Sequence, residues 1–206
     1  MSKNLYTGIL LTIVTAYLIY TGFSPYDRLT WLMEVLPVIL ALPILILTYR
    51  KYPLTSLLYF LIFIHCLVLM TGGQYTYARV PLGFWFQDWL HFARNHYDRV
   101  GHFAQGFVPA MIAREILIRG QFVNGRKMLA FIVVCICLAI SAFYELIEWW
   151  AAIVIGCGAD AFLGTQGDHW DTQWDMFLAL VGAMIALLTL SRYHDRQLQG
   201  SSSRVL

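Results

Sequence analysis

Charge is scarce in this chain: of 206 residues only 14 are Lys or Arg and 12 are Asp or Glu, and the net charge of +2 gives no reason to invoke a nucleic-acid partner. Cysteine is scarce as well. Cys66, Cys135 and Cys137 fall inside apolar runs and Cys157 in a loop, which argues against a disulfide framework, and the C-x-C pair would point to different faces of a helix. Internal repeats are absent, and the one low-complexity stretch, 200–203, reads as disordered. No small-x-small cleavage site follows the first apolar run, where Phe23, Ser24, Pro25 and Tyr26 stand instead, so that run is expected to stay as a helix.

What is present is apolar residues, 59% of the chain, in blocks too long for a soluble core. A stretch of roughly 17 to 25 such residues crosses a ~30 Å hydrocarbon layer as a helix that satisfies its own backbone hydrogen bonds. Six can be read, at about 5–23, 31–49, 54–70, 98–118, 128–155 and 171–190. The expected fold is an all-α polytopic membrane bundle, one domain over 1–195 with a disordered cytoplasmic tail at 196–206. Basic residues gather at alternate ends of the spans: Lys3, then Arg50 and Lys51, then Arg119, Arg126 and Lys127, then Arg192, Arg196 and Arg204. By the positive-inside bias this places both termini in the cytoplasm.

Two segments on the expected outer side are longer than connection requires. Residues 71–97 open on Gly72 and Gly73, read as a hinge, and continue as "FWFQDWLHFARNHY", read as an amphipathic helix in the membrane interface where Trp and Tyr are at home. Residues 156–170 hold four glycines and end "GTQGDHWD", a shaped loop feeding the last span. Pro37 and Pro43 interrupt the second span, either kinking it open beside a pocket or standing as ordinary membrane-helix prolines.

Ionisable residues inside the spans fall toward the outer side: Glu34, His65, His102, Glu145, Glu148 and Asp175, with Arg114 and Glu115 alone near the inner ends. Asp98 and His102 are i and i+4, Glu145 and Glu148 are i and i+3, and Asp168, Asp171 and Asp175 are i, i+3 and i+7, so each set shares a helix face. Three helices could then present carboxylates and an imidazole to one outward-facing pocket. Charged groups at a span centre cost at least ~2.5 kcal/mol each, so they are read as paired or as binding something. Alternatives stand beside this. Asp168 and Asp171 could cap the last helix, Asp98 and Arg99 could form an interfacial pair, His65 could be a packing residue, and Glu148, next to Trp149 and Trp150, could be wet. Glu145, Asp175 and His102 are the expected centre, with acid/base or metal-supporting roles. The candidate metal set is Asp98, His102, Glu145, Glu148, Asp171 and Asp175.

At these residues the chain resembles a known group. "GGQYTYARVP", "NHYDRVGHF", "YELIEWW" and "GTQGDHWDTQWDM", in that order over most of the chain, resemble the YjdF-like family of bacterial inner-membrane proteins. That resemblance implies an inner-membrane location and brings no activity with it. Residues 98–190 also resemble VanZ-like membrane proteins: Asp98, Arg99 and His102 match an aspartate-basic pair followed by histidine, Glu145 a glutamate late in the next span, and Asp171, Asp175 and Gly182 aspartates leading into a small-residue face. Glu148 stands where that pattern has glutamine, and Met176 and Phe177 follow Asp175 without its asparagine, which implies a more acidic site.

The first functional expectation is therefore a site open to the periplasmic side, holding Mg, Mn, Fe or Zn and binding or acting on an envelope lipid or cell-wall intermediate at the bilayer. A proton- or cation-coupled transporter is the second, ranked lower because such proteins need access from both sides. A structural or sensory protein is the third, although interhelical polar contacts average only ~0.6 kcal/mol in membranes.

Overall fold

Ser2 accepts a hydrogen bond from the Leu5 N–H and Asp27 one from the Thr30 N–H, and each of these caps opens a long apolar helix. The computed structural model describes residues 2–155 and 166–202. Among them are seven helices and no strand: α1 (Lys3–Phe23), α2 (Arg28–Thr48), α3 (Ser56–Tyr75), α4 (Pro81–Leu90), α5 (Tyr97–Arg119), α6 (Arg126–Ile155) and α7 (Asp171–Ser202). Five of these, α1, α2, α3, α6 and α7, are long and apolar enough to cross a membrane. The protein is a polytopic all-α bundle.

α5 falls outside those five because Asp98, Arg99, Arg114, Glu115 and Arg119 dilute its hydropathy. At 23 residues it is ~34 Å long, enough to span. It packs against α3, α6 and α7, which turns its charged residues toward other helices. The α5–α7 contact is the closest in the bundle. A Cβ on Gly106 would strike the Ala179 carbonyl, and one on Gly182 the Phe103 carbonyl. Ala110, Ala179, Ala183 and Ala186 are fully buried along the same seam, the small-residue packing by which membrane helices gain close dispersion contact. α1 and α2 pack on the other side of α3, around Val14, Val35, Val38, Cys66 and Met70.

Three sequence expectations change here. Gly72 and Gly73 are not a hinge: α3 runs through them to Tyr75, and both are buried. The amphipathic segment is a helix only over Pro81–Leu90, stopping at His91 in the left-handed conformation, with Trp85 and Trp89 exposed as suits a membrane interface. α7 continues past 190 to Ser202, so residues 196–202 are helical where a disordered tail was expected. Contacts hold it there, since Gln197 Oε1 accepts from the Leu57 N–H and Arg114 bonds to Asp195. Residues 203–206 lie outside the described residues, as do Cys157 and 156–165 of the glycine-rich loop. Lys3 bonds to the Leu54 carbonyl and Gln197 to Leu57, so the two ends of the described chain meet at one end of the bundle, opposite α4.

Candidate functional site

At the α4 end, α5 carries His102 one turn after Asp98. Nε2 of His102 lies 3.4 Å from Asp98 Oδ1 and 3.8 Å from Asp175 Oδ1 of α7, and its Nδ1 lies 3.8 Å from Glu145 Oε1 of α6. His102, Glu145 and Asp175 are 6%, 8% and 3% exposed. A neutral imidazole has one N–H to offer, and here both ring nitrogens face carboxylate oxygens. His102 Nδ1, Glu145 Oε1 and Asp175 Oδ1 have no hydrogen-bond partner among the described residues. Buried acceptors of this kind cost about 1–3 kcal/mol each, more when charged, unless a cation, proton or donor reaches them. Asp98, His102 and Asp175 each offer a ligand atom within 4.8 Å of the others. A metal about 2.0–2.2 Å from each of its ligand atoms needs spacings of about 3 to 4.4 Å, and the 3.4 and 3.8 Å separations fall in that range. The donor set, carboxylates with one imidazole, suits Mg, Mn, Fe or Zn.

Of the other expected ligands, Asp171 is engaged with Arg94, and Asp168 bonds to both Arg94 and Arg99 at 3.2 Å. Arg99 therefore pairs across to the segment before α7 and not with Asp98. Asp168 Oδ1 also accepts from the Trp170 N–H, and that bond, with the Arg94 and Arg99 guanidinium groups, holds its carboxyl below the usual carboxylate range. The clasp draws the start of α5 to the start of α7. Arg94 was not singled out as a partner by spacing, because its carboxylates lie more than seventy residues away.

Glu148 points elsewhere, into the wall of a cavity of about 150 Å³ between α2, α3, α5 and α6. Glu34, His65, Asp98, His102, Tyr77 and Tyr144 also line it, and Tyr144 donates to Glu34 Oε2 at 3.3 Å. Pro37 of α2 and Pro109 of α5 stand in the same wall. Each lacks an N–H and so frees a carbonyl one turn back, which supports the pocket reading of Pro37; Pro43 is not in this wall. Glu34 and Tyr144 are site residues that the spacing argument left out, for they lie on different spans and no sequence interval relates them. Tyr77 is another. Thr76 and Tyr77 both have left-handed backbone, at φ 56° and 47°, a conformation disfavoured for a β-branched or bulky residue. It turns the Tyr77 ring inward between Gly72 and Gly101, where any Cβ would collide with it. Strain of this sort, of order 1–3 kcal/mol per residue, persists only where surrounding packing holds it.

The expectation that polar groups crowd one side is also corrected. At the opposite end of the α5–α7 pair, Glu115 and His194 are both fully buried. Glu115 accepts from Thr55 N–H and Oγ1, from Arg119 Nη1 at 2.9 Å and from His194 Nε2 at 2.9 Å. Arg114 Nη1 lies 2.9 Å from His194 Nδ1, so an imidazole with its proton on Nε2 accepts from Arg114 and donates to Glu115. Thr55 N–H and Leu57 N–H belong to the first turn of α3, where helix donors lack intrahelical partners, and Glu115 and Gln197 cap them from neighbouring helices.

Compared with known proteins, the chain matches the family described as Predicted membrane protein (DUF2238) over residues 6–196. It belongs to that family. It is similar to Inner membrane protein YjdF of Escherichia coli (strain K12), with 63% identity over 186 residues, 90% of this chain and 89% of that protein. No solved structure matches it. This DUF2238 member is thus a multi-pass inner-membrane protein, as the YjdF-like resemblance implied.

Proposed function

We propose that this DUF2238 protein holds a divalent cation, of the Mg, Mn, Fe or Zn class, between Asp98, His102 and Asp175, with Glu145 as a further acceptor. In this reading the site opens to the periplasmic side and binds or acts on an envelope lipid or cell-wall intermediate. One observation carries it: His102 Nδ1, Glu145 Oε1 and Asp175 Oδ1 are buried together and unpartnered among the described residues. Such a cation would polarise a phosphoryl or carbonyl oxygen or activate water. His102 and Glu145 would move a proton beside it, while the Arg94–Asp168–Arg99 clasp fixes the distance between α5 and α7. The orientation rests on Lys3, Arg50, Lys51, Arg119, Arg126, Lys127, Arg192 and Arg196, which gather toward the end where the termini meet.

Coupled transport is the second reading, favoured by the presence of buried ionisable clusters at both ends of one helix pair. Against it stands the layer between them along the α5–α7 seam, where the apolar Val108, Ala110, Met111, Ala179, Ala183 and Ala186 are buried.

The test is elemental analysis of the detergent-purified protein beside a Glu145→Ala/Asp175→Ala variant shown to be folded. Stoichiometric metal in the first and none in the second is expected. A metal-free protein that takes up added Mn or Zn no better than the variant overturns the cation reading.

A further inference from the structure

Five carboxylates at the α4 end, Glu34, Asp98, Glu145, Glu148 and Asp175, share His102 as the basic side chain among them. Arg94 and Arg99 are turned toward Asp168 and Asp171. One divalent cation at Asp98, His102 and Asp175 leaves Glu34, which accepts from Tyr144, and Glu148 without a cation of their own, and neither belongs to the group whose ligand atoms converge. Both line the neighbouring cavity. Among the described residues its wall holds no Lys or Arg, two tyrosines, and the apolar Pro37, Leu69, Pro109 and Ile140. His102, 6% exposed, is part of that wall and has an unpartnered Nδ1, and His65 adds a buried, unpartnered Nε2.

We propose that this cavity binds an organic ammonium group, the amine end of the ligand that the His102 cluster receives. The inference rests on the reading above in taking the pocket and the cluster as one site, and it adds the substrate class. Carboxylates on three helices surround the space rather than converging on a point, so they fit a cation with several heavy atoms better than a bare ion. At about 150 Å³ the cavity exceeds by severalfold the ~30 Å³ share of one water. Tyr77 and Tyr144 stand in the lining, and aromatic rings attract ammonium groups once these are desolvated. The strained backbone at Thr76 and Tyr77, and the slot between Gly72 and Gly101, place one of those rings. An anionic group would meet the Glu34, Asp98 and Glu148 carboxylates here, with no Lys or Arg among the described lining residues to answer it.

The experiment is calorimetric titration of the full-length protein in a non-ionic detergent with dihexanoylphosphatidylethanolamine, dihexanoylphosphatidylglycerol and ethanolamine. At least tenfold tighter binding of the phosphatidylethanolamine than of the phosphatidylglycerol is expected. Glu34→Gln and Glu148→Gln should each weaken it tenfold or more while leaving metal content unchanged. Ethanolamine binding as tightly as the lipid also upholds an ammonium site and makes a free amine its source. Equal binding of the two lipids, or no binding by any of the three, overturns the proposal. So does unchanged affinity in a folded Glu148→Gln, which carries the test alone if Glu34→Gln does not fold. Amine binding by a protein that holds no metal would overturn the cation reading and leave this one standing.

Discussion

Glu115 and Asp175 are both carboxylates buried on the α5–α7 pair, yet Glu115 collects hydrogen bonds from Thr55, Arg119 and His194 while Asp175 Oδ1 collects none among the described residues. His194 and His102 differ in the same way. His194 lies between one donor and one acceptor, which a neutral imidazole satisfies on both sides, whereas His102 lies among acceptors only. Along α5 the two clusters are ~20 Å apart, with small apolar residues between them. Burial of charge is therefore not in itself a mark of function. The end nearer the termini uses ionisable groups as caps and cross-links, and the α4 end holds acceptors without hydrogen-bond partners among the described residues.

That contrast can be broken in several ways, of decreasing size. Glu115→Gln turns an amide toward donors that needed a carboxylate, and the loss should be about 3–5 kcal/mol, read as a fall in melting temperature in detergent. Manganese should stabilise the wild type by about 2.7 kcal/mol at a hundredfold excess over its Kd, read as a higher melting temperature, and should leave Asp175→Asn where it was. Equal stabilisation of both would place the ion elsewhere. Gly72→Ala should cost about 1–3 kcal/mol by driving a methyl into the Tyr77 ring. Its effect should be confined to the α4 end, so that amide exchange at Thr55 and Leu57 is unchanged. The smallest effect is acid loosening of the clasp. Asp168 has a lowered pKa in the folded protein, so its contribution is present above the ordinary carboxylate value of about 4 and is lost as pH falls through the lower folded value. Faster amide exchange at Trp170 below that pH, absent in Asp168→Asn, would confirm it.

The helices and the central residues of the candidate site are legible because hydrocarbon punishes charge. Asp98, His102, Glu145 and Asp175 stand out in the sequence as polar groups in apolar runs, and the i, i+4 interval alone puts Asp98 beside His102. The Glu115–His194 network was not legible for the reason that His194 lies beyond residue 190, where apolar periodicity stops, and its helix continues only because Arg114, Glu115 and Leu57 hold it. Tyr77 was hidden too. Its position depends on two left-handed residues, and nothing in "QYTYARV" requires them. Glu34 was visible as a charge at depth, but its approach to Tyr144 crosses 110 residues that no local pattern spans.

The most direct measurement is the melting temperature of Asp175→Asn and of Glu115→Gln, each against wild type, in detergent with EDTA. Removing one negative charge from a cluster with too few donors should leave Asp175→Asn as stable as wild type or more so, while Glu115→Gln melts well below it. An Asp175→Asn protein that falls as far as Glu115→Gln would mean that Asp175 is already satisfied within the fold, and would contradict a site waiting for a cation.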